Sequence, residues 1–243
     1  AGAASGFVTA TLQTRLGVPS ILAGIITNTG LYTVNLAVMG WSSNLSIYGS
    51  DSLFTLCKEL FPWEWWAKWH ELVVLAVILL VAALLVVLFF RTRLGLSIRA
   101  TGDNADMVRA SSINPSFTIT VGLCLSNSLT GLAGCLIGLL NKSCDINLGT
   151  GMVTVALASL IIGESLMGRG SIPRRVFGVI LGACLYRIII AVAISTSIVP
   201  TEGFKLVSAL IVAVAIAAPQ GRKLIALQRQ KLAARKRGGG VKC

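Results

Sequence analysis

The side chains that could carry out acid–base, nucleophilic or metal chemistry are few and scattered along this chain. It has one histidine, His70, and six cysteines that form no CxxC pair. Zinc sites and disulfide frameworks use cysteine or histidine at short, repeated spacings. Most of the cysteines instead lie in apolar runs, where we expect them to act as small hydrophobic side chains. The sequence therefore predicts no catalytic centre, no metal site and no cofactor within this chain.

Gly163 and Gly168 have the spacing of the two glycines in a phosphate-binding loop. That loop continues with lysine and then serine or threonine, because the lysine reaches the phosphates and the hydroxyl holds Mg²⁺. Here Arg169 and Gly170 follow instead. We therefore do not interpret this segment as an ATP site.

Two charged residues, Glu164 and Arg187, lie inside apolar segments. Arg187 is twelve residues beyond Arg175, which is about 18 Å along a helix and therefore near the middle of a bilayer. An arginine at that depth is expected to be paired or to face water. Two partners remain open: the Glu164 carboxylate, which is shallower by about 10 Å, or a carboxylate on a solute that passes through the protein.

Uncharged polar residues also interrupt two apolar segments. Thr27, Asn28 and Thr29 lie between Gly24 and Gly30, and Asn127 lies between two serines. Such residues occur at membrane depth where a helix breaks or lines a cavity, and also where helices pack closely. Both interpretations stay open, and the residues that we predict to line a path are Thr27, Asn28, Thr29, Asn127, Glu164 and Arg187.

The composition indicates which elements must hold these residues. Soluble domains carry about 25% charged residues, whereas this chain of 243 residues is 12% charged and 55% hydrophobic. The run from Leu72 to Phe90 contains no polar side chain and is long enough to span a bilayer as a helix. We predict an all-α integral membrane protein, a bundle of about six to seven transmembrane helices, some of them broken. The apolar segments are 1–12, 18–40, 71–90, 116–140, 148–167, 175–198 and 204–219; the first is too short to span and is expected to be the end of a longer helix.

The basic residues predict how the chain is threaded. The net charge is +12, and the tail from Arg222 to Lys242 holds eight basic residues and no acid. Lysine and arginine accumulate on the cytoplasmic side of membrane proteins, which explains this charge better than nucleic-acid binding does. We predict a transmembrane domain at 1–221 and a basic cytoplasmic tail at 222–243. The loops predicted to be cytoplasmic are 91–115 and 168–176, with Arg15 on the same side, and those predicted to face outward are 41–70, 141–147 and 199–203.

The predicted outer loop contains four of the five tryptophans, within Phe61–Trp69. Tryptophan favours the headgroup level of a bilayer. An interfacial helix explains this pattern, and a docking surface for an external partner also does.

The loop 91–115 is the most informative polar segment. Asp103 is positioned to cap a short helix over 104–113, with Asp106 in its first turn and Pro115 ending it. That helix would present a mixed apolar surface with no lipid in which to bury it. It therefore needs a protein partner, or it must lie against its own bundle. The apolar residues of this surface are Met107, Val108, Ala110 and Ile113.

Several segments resemble the permease subunits of bacterial ABC importers, and among them the branched-chain amino acid and ribose-type permeases. The loop sequence Arg99–Ala110 is followed by Ile113-Asn114 and by a helix with Leu125-Ser126 and Gly131–Gly134. A second similar segment is Leu160–Ser171. A third, Tyr186–Ala193 with Phe204–Ala209 and Pro219 beyond it, looks like a subgroup associated with aromatic amino acid uptake. The resemblance covers roughly residues 15–222, and the family usually has more N-terminal helices than this chain.

The resemblance implies an assembly and a mechanism. Two permease subunits, identical or different, would form the path through the bilayer of the bacterial plasma membrane, with the C-terminus in the cytoplasm. An extracytoplasmic substrate-binding protein would deliver the solute, which is expected to be an amino acid, and two ATPase subunits would bind ATP and Mg²⁺. The segment 99–113 would be the coupling helix that sits in a groove on the ATPase. The residues expected to couple are Arg99, Gly102, Asp103, Asn104, Met107, Arg109 and Ile113.

Two other classes of protein would require different polar residues in the sequence. A secondary transporter or channel for a small polar solute remains the alternative, although such transporters commonly carry intramembrane acids or histidines as a relay. Here Glu164 is the only acid well inside an apolar segment. A membrane-bound enzyme would need a nucleophile, a base or a metal cluster, and no grouping of histidine, cysteine and aspartate supplies one.

Overall fold

The computed structural model describes residues 1–49, 53–60, 64–149, 151–168 and 170–195, and these are almost entirely helical. Two units are distinguished along the chain, residues 1–148 and the residues from 149 onward. The described elements of the first unit are α1 (Gly2–Thr14), α2 (Ser20–Val38), β1 (Asn44–Ser46), α3 (Leu53–Leu60), α4 (Glu64–Arg91), α5 (Arg93–Asp103), α6 (Ala105–Ala110), α7 (Pro115–Asn141) and β2 (Ser143–Asp145). Those of the second unit are α8 (Met152–Met167) and α9 (Ile172–Ser195).

The helices confirm the all-α membrane class. In the described part of the chain, four helices are long and apolar enough to cross a membrane, and α8 is a shorter apolar helix. The candidate spans are Ser20–Val38, Trp69–Arg91, Pro115–Asn141 and Ile172–Val192. The predicted segment 204–219 and the predicted tail 222–243 lie outside the described residues. The tryptophan-rich segment is helical from Glu64 and continues directly into the span of α4.

A break is not the explanation of the polar residues in 18–40, because α2 is continuous from Ser20 to Val38. Its threonines satisfy their hydroxyls within the helix. Thr27 Oγ1 donates to Ala23 O at 2.9 Å, and Thr29 Oγ1 donates to Ile25 O at 2.9 Å. A hydroxyl that bonds to the carbonyl one turn back needs no unwound backbone. The polar residues of this segment are therefore compatible with an unbroken span.

In the first unit, α1 packs antiparallel against α7 with almost no side chain between the two backbones. A Cβ at Gly6 would lie 2.7 Å from Cys124 Cα, and one at Gly2 would lie 3.0 Å from Ser128 Cα. The residue numbers run in opposite directions along the two helices, so the end of α1 near Arg15 lies at the same end as Pro115. The predicted threading places these residues on one side of the membrane, and the packing agrees with it.

The opposite end of the first unit carries a small antiparallel sheet. β1 and β2 pair in the register Asn44 with Asp145, Leu45 with Cys144 and Ser46 with Ser143. The pairing joins the loop after α2 to the loop after α7. Both loops were assigned to the same side from their low content of basic residues, and the sheet agrees with that assignment.

In the second unit, α8 and α9 form a closely packed antiparallel pair. Glycines allow the approach: a Cβ at Gly182 would lie 2.7 Å from Gly163 N, and Gly163 in turn faces Gly178. Next to this contact, the Tyr186 side chain, which is 3% exposed, packs against Ala158. Gly163 is therefore a packing residue of α8, which gives a structural reason for a glycine at the position that had suggested a phosphate-binding loop.

Candidate functional site

The polar loop between α4 and α7 folds into two short helices, α5 and α6, which together we call the coupling surface (residues 93–113). The coupling surface begins with a tight turn. Thr92 caps α5, since its Oγ1 accepts a hydrogen bond from Gly95 N–H at 3.2 Å. A Cβ at Gly95 would lie 2.5 Å from Phe90 Cα. Only glycine therefore allows α5 to fold back this closely on the end of α4.

The residue that caps α6 is Asn104, so the prediction that Asp103 caps it is wrong. Asp106 N–H and Met107 N–H both donate to Asn104 Oδ1, each at 3.1 Å. Asp103 is still the last helical residue of α5, whereas Asn104 has the extended backbone (φ −158°, ψ 103°) that a cap requires. One residue thus ends α5 and starts α6, and it sets the angle between the two helices.

The end of α6 also differs from the prediction, because the helix stops at Ala110 rather than at residue 113. Ser112 adopts the left-handed conformation with φ 61°. Ser112 N–H donates to Arg109 O at 3.1 Å, and Ile113 N–H donates to Val108 O at 3.2 Å. This is the hydrogen-bond pattern of a Schellman C-cap, which terminates a helix without proline.

Pro115 has a different role from the predicted one: it is the first residue of α7. A proline suits that position because its missing N–H would have no helical partner there. Asn114 caps α7 by accepting from Ser116 N–H at 3.0 Å, and its own backbone is extended, as expected for a residue before proline. The coupling surface is therefore bounded by a defined cap at each end.

A buried pair of hydroxyls fixes the coupling surface to α7. Thr101 Oγ1 and Thr118 Oγ1 lie 2.8 Å apart, and these residues are 8% and 1% exposed. Val108 of α6 is also buried, at 2% exposed. Sequence reasoning missed both threonines, and it placed Val108 on the presented apolar surface, whereas the structure buries it. Thr101 lies inside the segment that had been singled out, but nothing in the sequence indicates that a residue seventeen positions away is its partner.

The exposed side of the coupling surface carries most of the residues expected to couple. Arg99, Gly102, Asp103, Asn104, Met107 and Arg109 are exposed, while Ile113 is half-buried behind them. Met107 is 63% exposed although it is a large apolar residue. Over residues 93–113 the exposed charged side chains are three arginines (93, 99 and 109) and two aspartates (103 and 106). A patch of mixed charge that is partly apolar suits a protein partner better than an anionic lipid surface, which favours clustered cations.

The structure separates the predicted path residues of the first unit into two groups. Thr27 is buried, where it accepts a hydrogen bond from Thr9 Oγ1 at 3.0 Å and so joins α1 to α2. Asn127 is half-buried, donates to Leu123 O at 3.1 Å and lies against Gly2 of α1. Both make contacts typical of helix packing. Asn28 and Thr29, in contrast, lie on the exposed surface of α2.

In the second unit, the two intramembrane charges lie at different levels of the helix pair. Gly182 of α9 is opposite the Ser159–Gly163 turn of α8. From that crossing, Arg187 lies five residues toward one end and Glu164 lies toward the other, so about 12 Å separates them along the helix axes. Among the described residues, no ion pair joins Arg187 to a carboxylate. The structure therefore does not form the Arg187–Glu164 pair that was one of the two open interpretations.

Comparison with known proteins gives one family for this chain. The model of a family described as "Branched-chain amino acid transport system / permease component" matches residues 1–217. The chain is 29% identical over 211 residues to a tyrosine transport system permease protein of Clostridioides difficile (strain R20291), which covers 87% of this chain and 67% of that protein. It is 28% identical over 204 residues to an uncharacterised protein of Rickettsia prowazekii (strain Madrid E), which covers 82% and 69%. No solved structure matches it significantly.

Proposed function

The chain belongs to the family of permease components of branched-chain amino acid transport systems, and from this premise we propose that it is the membrane-spanning subunit of an ATP-driven amino acid importer. It is a multi-pass membrane permease, with four candidate spans in its described residues. What we propose beyond the family is the energy source, the direction of transport, the cargo and the partners.

One observation carries the ATP-driven part of the proposal: the construction of the coupling surface. Both of its helices are capped, and the Thr101–Thr118 hydrogen bond holds it on the end of α7. An exposed patch of mixed charge that includes the apolar Met107 side chain suits contact with a protein partner. A partner ATPase that binds this patch could transmit its motion to α7, because the buried contact leaves little freedom between them.

The cargo that we propose is an amino acid, with an aromatic one as the first candidate. The family description refers to branched-chain amino acids, and the relative from Clostridioides difficile is described as a tyrosine permease. These two descriptions agree on the chemical class and differ in the side chain.

The proposed assembly contains two permease subunits, two ATPase subunits and an extracytoplasmic substrate-binding protein. ATP and Mg²⁺ would be bound by the ATPase subunits. We place the complex in the bacterial plasma membrane with the basic C-terminal tail in the cytoplasm, because the positively charged loops and tail are expected to face that side.

Reconstitution with candidate ATPase and substrate-binding protein subunits tests the proposal. Proteoliposomes that contain the complex should accumulate labelled tyrosine, phenylalanine or leucine only when ATP is supplied on the side of the ATPase. Uptake that proceeds without the ATPase, and that a proton or sodium gradient drives, would instead indicate a secondary transporter.

A matched pair of variants connects that result to the coupling surface. Met107→Asp places a charge on the exposed patch, and Leu16→Asp places one on an equally exposed apolar residue (70% against 63%) outside it. We expect Met107→Asp to release the ATPase during co-purification, or to abolish uptake, while Leu16→Asp leaves both intact. Equal effects of the two variants would contradict the assignment of the surface.

A further inference from the structure

Arg187 is an exposed arginine in the middle of an apolar helix. It lies fifteen residues into α9, which begins at Ile172 and spans the membrane to at least Val192. Its side chain is exposed on the single chain, whereas its neighbour Tyr186 is buried against α8. An arginine cannot remain against lipid tails at that depth without a compensating partner or water. The exposed face of α9 at this level is therefore not a lipid-facing surface.

Among the residues that the structure describes, no acid lies beside Arg187 on α8 or α9. Glu164 lies about 12 Å away along the helix axes. Glu202, the other acid that follows residue 148, is fifteen residues further along the sequence and belongs to a predicted loop. The apolar segments 18–40, 72–90 and 116–140 contain no acid at all. The compensation that Arg187 requires would therefore come from water or from a carboxylate outside α8 and α9.

The surroundings of Arg187 on its own helix leave room for such a ligand. Helical neighbours three and four residues away lie on the same face. For Arg187 these are Ala183, Cys184, Ile190 and Ala191; Cys184 and Ala191 are small and exposed, whereas Ile190 is larger, half-buried and packed against the Ala158–Tyr186 contact. The small, exposed neighbours leave room beside the guanidinium, which can bind a carboxylate with two parallel hydrogen bonds.

We propose that Arg187 faces the water-filled path of the permease and binds the carboxylate of the transported amino acid. This inference rests on the proposed function, because it assigns one binding group to that cargo. Every α-amino acid carries a carboxylate at the same place, so the contact would select the class of solute while leaving the choice of side chain to other residues. Cys184, predicted from the sequence to be a small hydrophobic residue, would then line the same path one turn away.

Labelling of the Cys184 thiol tests this proposal. The assembled transporter is prepared with a chain whose other five cysteines are replaced by serine, and it is treated with a charged, water-soluble methanethiosulfonate reagent. We expect Cys184 to react, and we expect saturating tyrosine to slow the reaction at least tenfold. Tyramine, which lacks only the carboxylate, should give little protection. The replaced cysteines are Cys57, Cys124, Cys135, Cys144 and Cys243.

Variants of Arg187 then identify the group responsible. Arg187→Gln should abolish both the tyrosine protection and at least nine-tenths of the uptake, and Arg187→Lys, which keeps the charge, should retain part of each. Arg175→Gln, which removes an exposed arginine from the start of the same helix, should change neither. The amount of ATPase that co-purifies shows whether each variant still assembles.

The outcomes separate this inference from the proposed function. If Cys184 reacts only with a lipid-soluble maleimide, or if tyrosine still protects it in Arg187→Gln, the carboxylate site is contradicted even when uptake by the unaltered chain is normal. If the unaltered chain shows no ATP-driven uptake of any amino acid, the proposed function fails instead. Labelling of Cys184 needs no transport, so protection by tyrosine but not by tyramine would still support the site in that case.

Discussion

Polar side chains have different roles in the coupling surface and in the α8–α9 pair. In the coupling surface, the side chains of Thr92, Asn104 and Thr101 all bond within the chain and fix the shape of α5 and α6. In the α8–α9 pair, glycines allow the two helices to pack closely, and the charged side chain of Arg187 lies outside this helix–helix contact. Satisfied polar groups thus define structure in the first region, whereas in the second an exposed charge indicates a ligand or partner beyond the chain.

The largest expected effect concerns the glycine contact of the second region. Gly182→Ala would place a methyl group against the backbone of α8, 2.7 Å from Gly163 N. Overpacking of this kind costs about 1–3 kcal/mol, and we expect a lower midpoint of thermal unfolding in detergent. Gly134→Ala is the control, because no described atom lies within 4 Å of the added Cβ there. A midpoint unchanged in both variants would mean that the helices do not approach as closely as described.

The next effect tests which residue caps α6. Asn104→Ala removes the acceptor for two backbone N–H groups and should destabilise the helix by about 0.5–2 kcal/mol. Hydrogen exchange at the Asp106 and Met107 amides should accelerate accordingly. Asp103→Ala should leave these amides almost as protected as before, and the reverse order of the two variants would restore the assignment made from the sequence.

A smaller effect is expected from the hydroxyl pair that holds the coupling surface on α7. Thr118→Val should cost about 0.5–1.5 kcal/mol more than Thr120→Val, the usual net value of one hydrogen bond, because the Thr118 hydroxyl bonds to Thr101 Oγ1 as well as to Pro115 O of its own helix. It should also lower the number of amino acids transported per ATP hydrolysed, because the surface is less firmly held. Thr120→Val is the matched control, since its hydroxyl bonds only to Ser116 O among the contacts described.

A double-mutant cycle sharpens this test. If Thr101 and Thr118 act as a pair, the double valine variant should be less destabilised than the sum of the two single variants. Additive losses would show that each hydroxyl acts through its own helix and that the two do not cooperate.

The smallest expected effect is a gain in stability at the end of α6. Ser112 has a positive φ of 61°, which costs free energy for any residue with a Cβ. Ser112→Gly should raise the stability by about 0.5 kcal/mol, after the greater flexibility of glycine in the unfolded chain is taken into account. A loss of stability, measured as a lower unfolding midpoint, would argue against the Schellman cap.

Much of the fold follows from the sequence because lipid imposes a simple rule. A backbone in the membrane must satisfy its own hydrogen bonds, so the apolar run Leu72–Phe90 could only be a helix. The depth of Arg187 also follows from counting residues. The continuity of α2 could not be predicted in this way, because polar residues such as Thr27 and Asn28 suggest a break as long as the hydrogen bonds of this helix are unknown.

The coupling surface shows which features could be predicted from the sequence and which could not. Its position and most of its exposed residues could be named from the segment 99–113. The cap was misplaced by one residue because Asp103 and Asn104 have similar capping preferences, and only the backbone angles distinguish them. The contact of Thr101 with Thr118 depends on how α5 folds back on α7, which the local sequence does not encode.

Site-directed cross-linking tests most directly the central claim, that the coupling surface binds an ATPase. A single cysteine is introduced as Met107→Cys, or as Leu16→Cys for comparison, in a chain whose native cysteines are replaced. That cysteine is labelled with a short thiol-reactive photo-cross-linker, and the complex is irradiated. We predict a product between the permease and the ATPase from Met107→Cys, and a yield that changes when ATP is added, with none from Leu16→Cys. A complex that hydrolyses ATP and transports amino acids but forms no cross-link at position 107 would contradict the account.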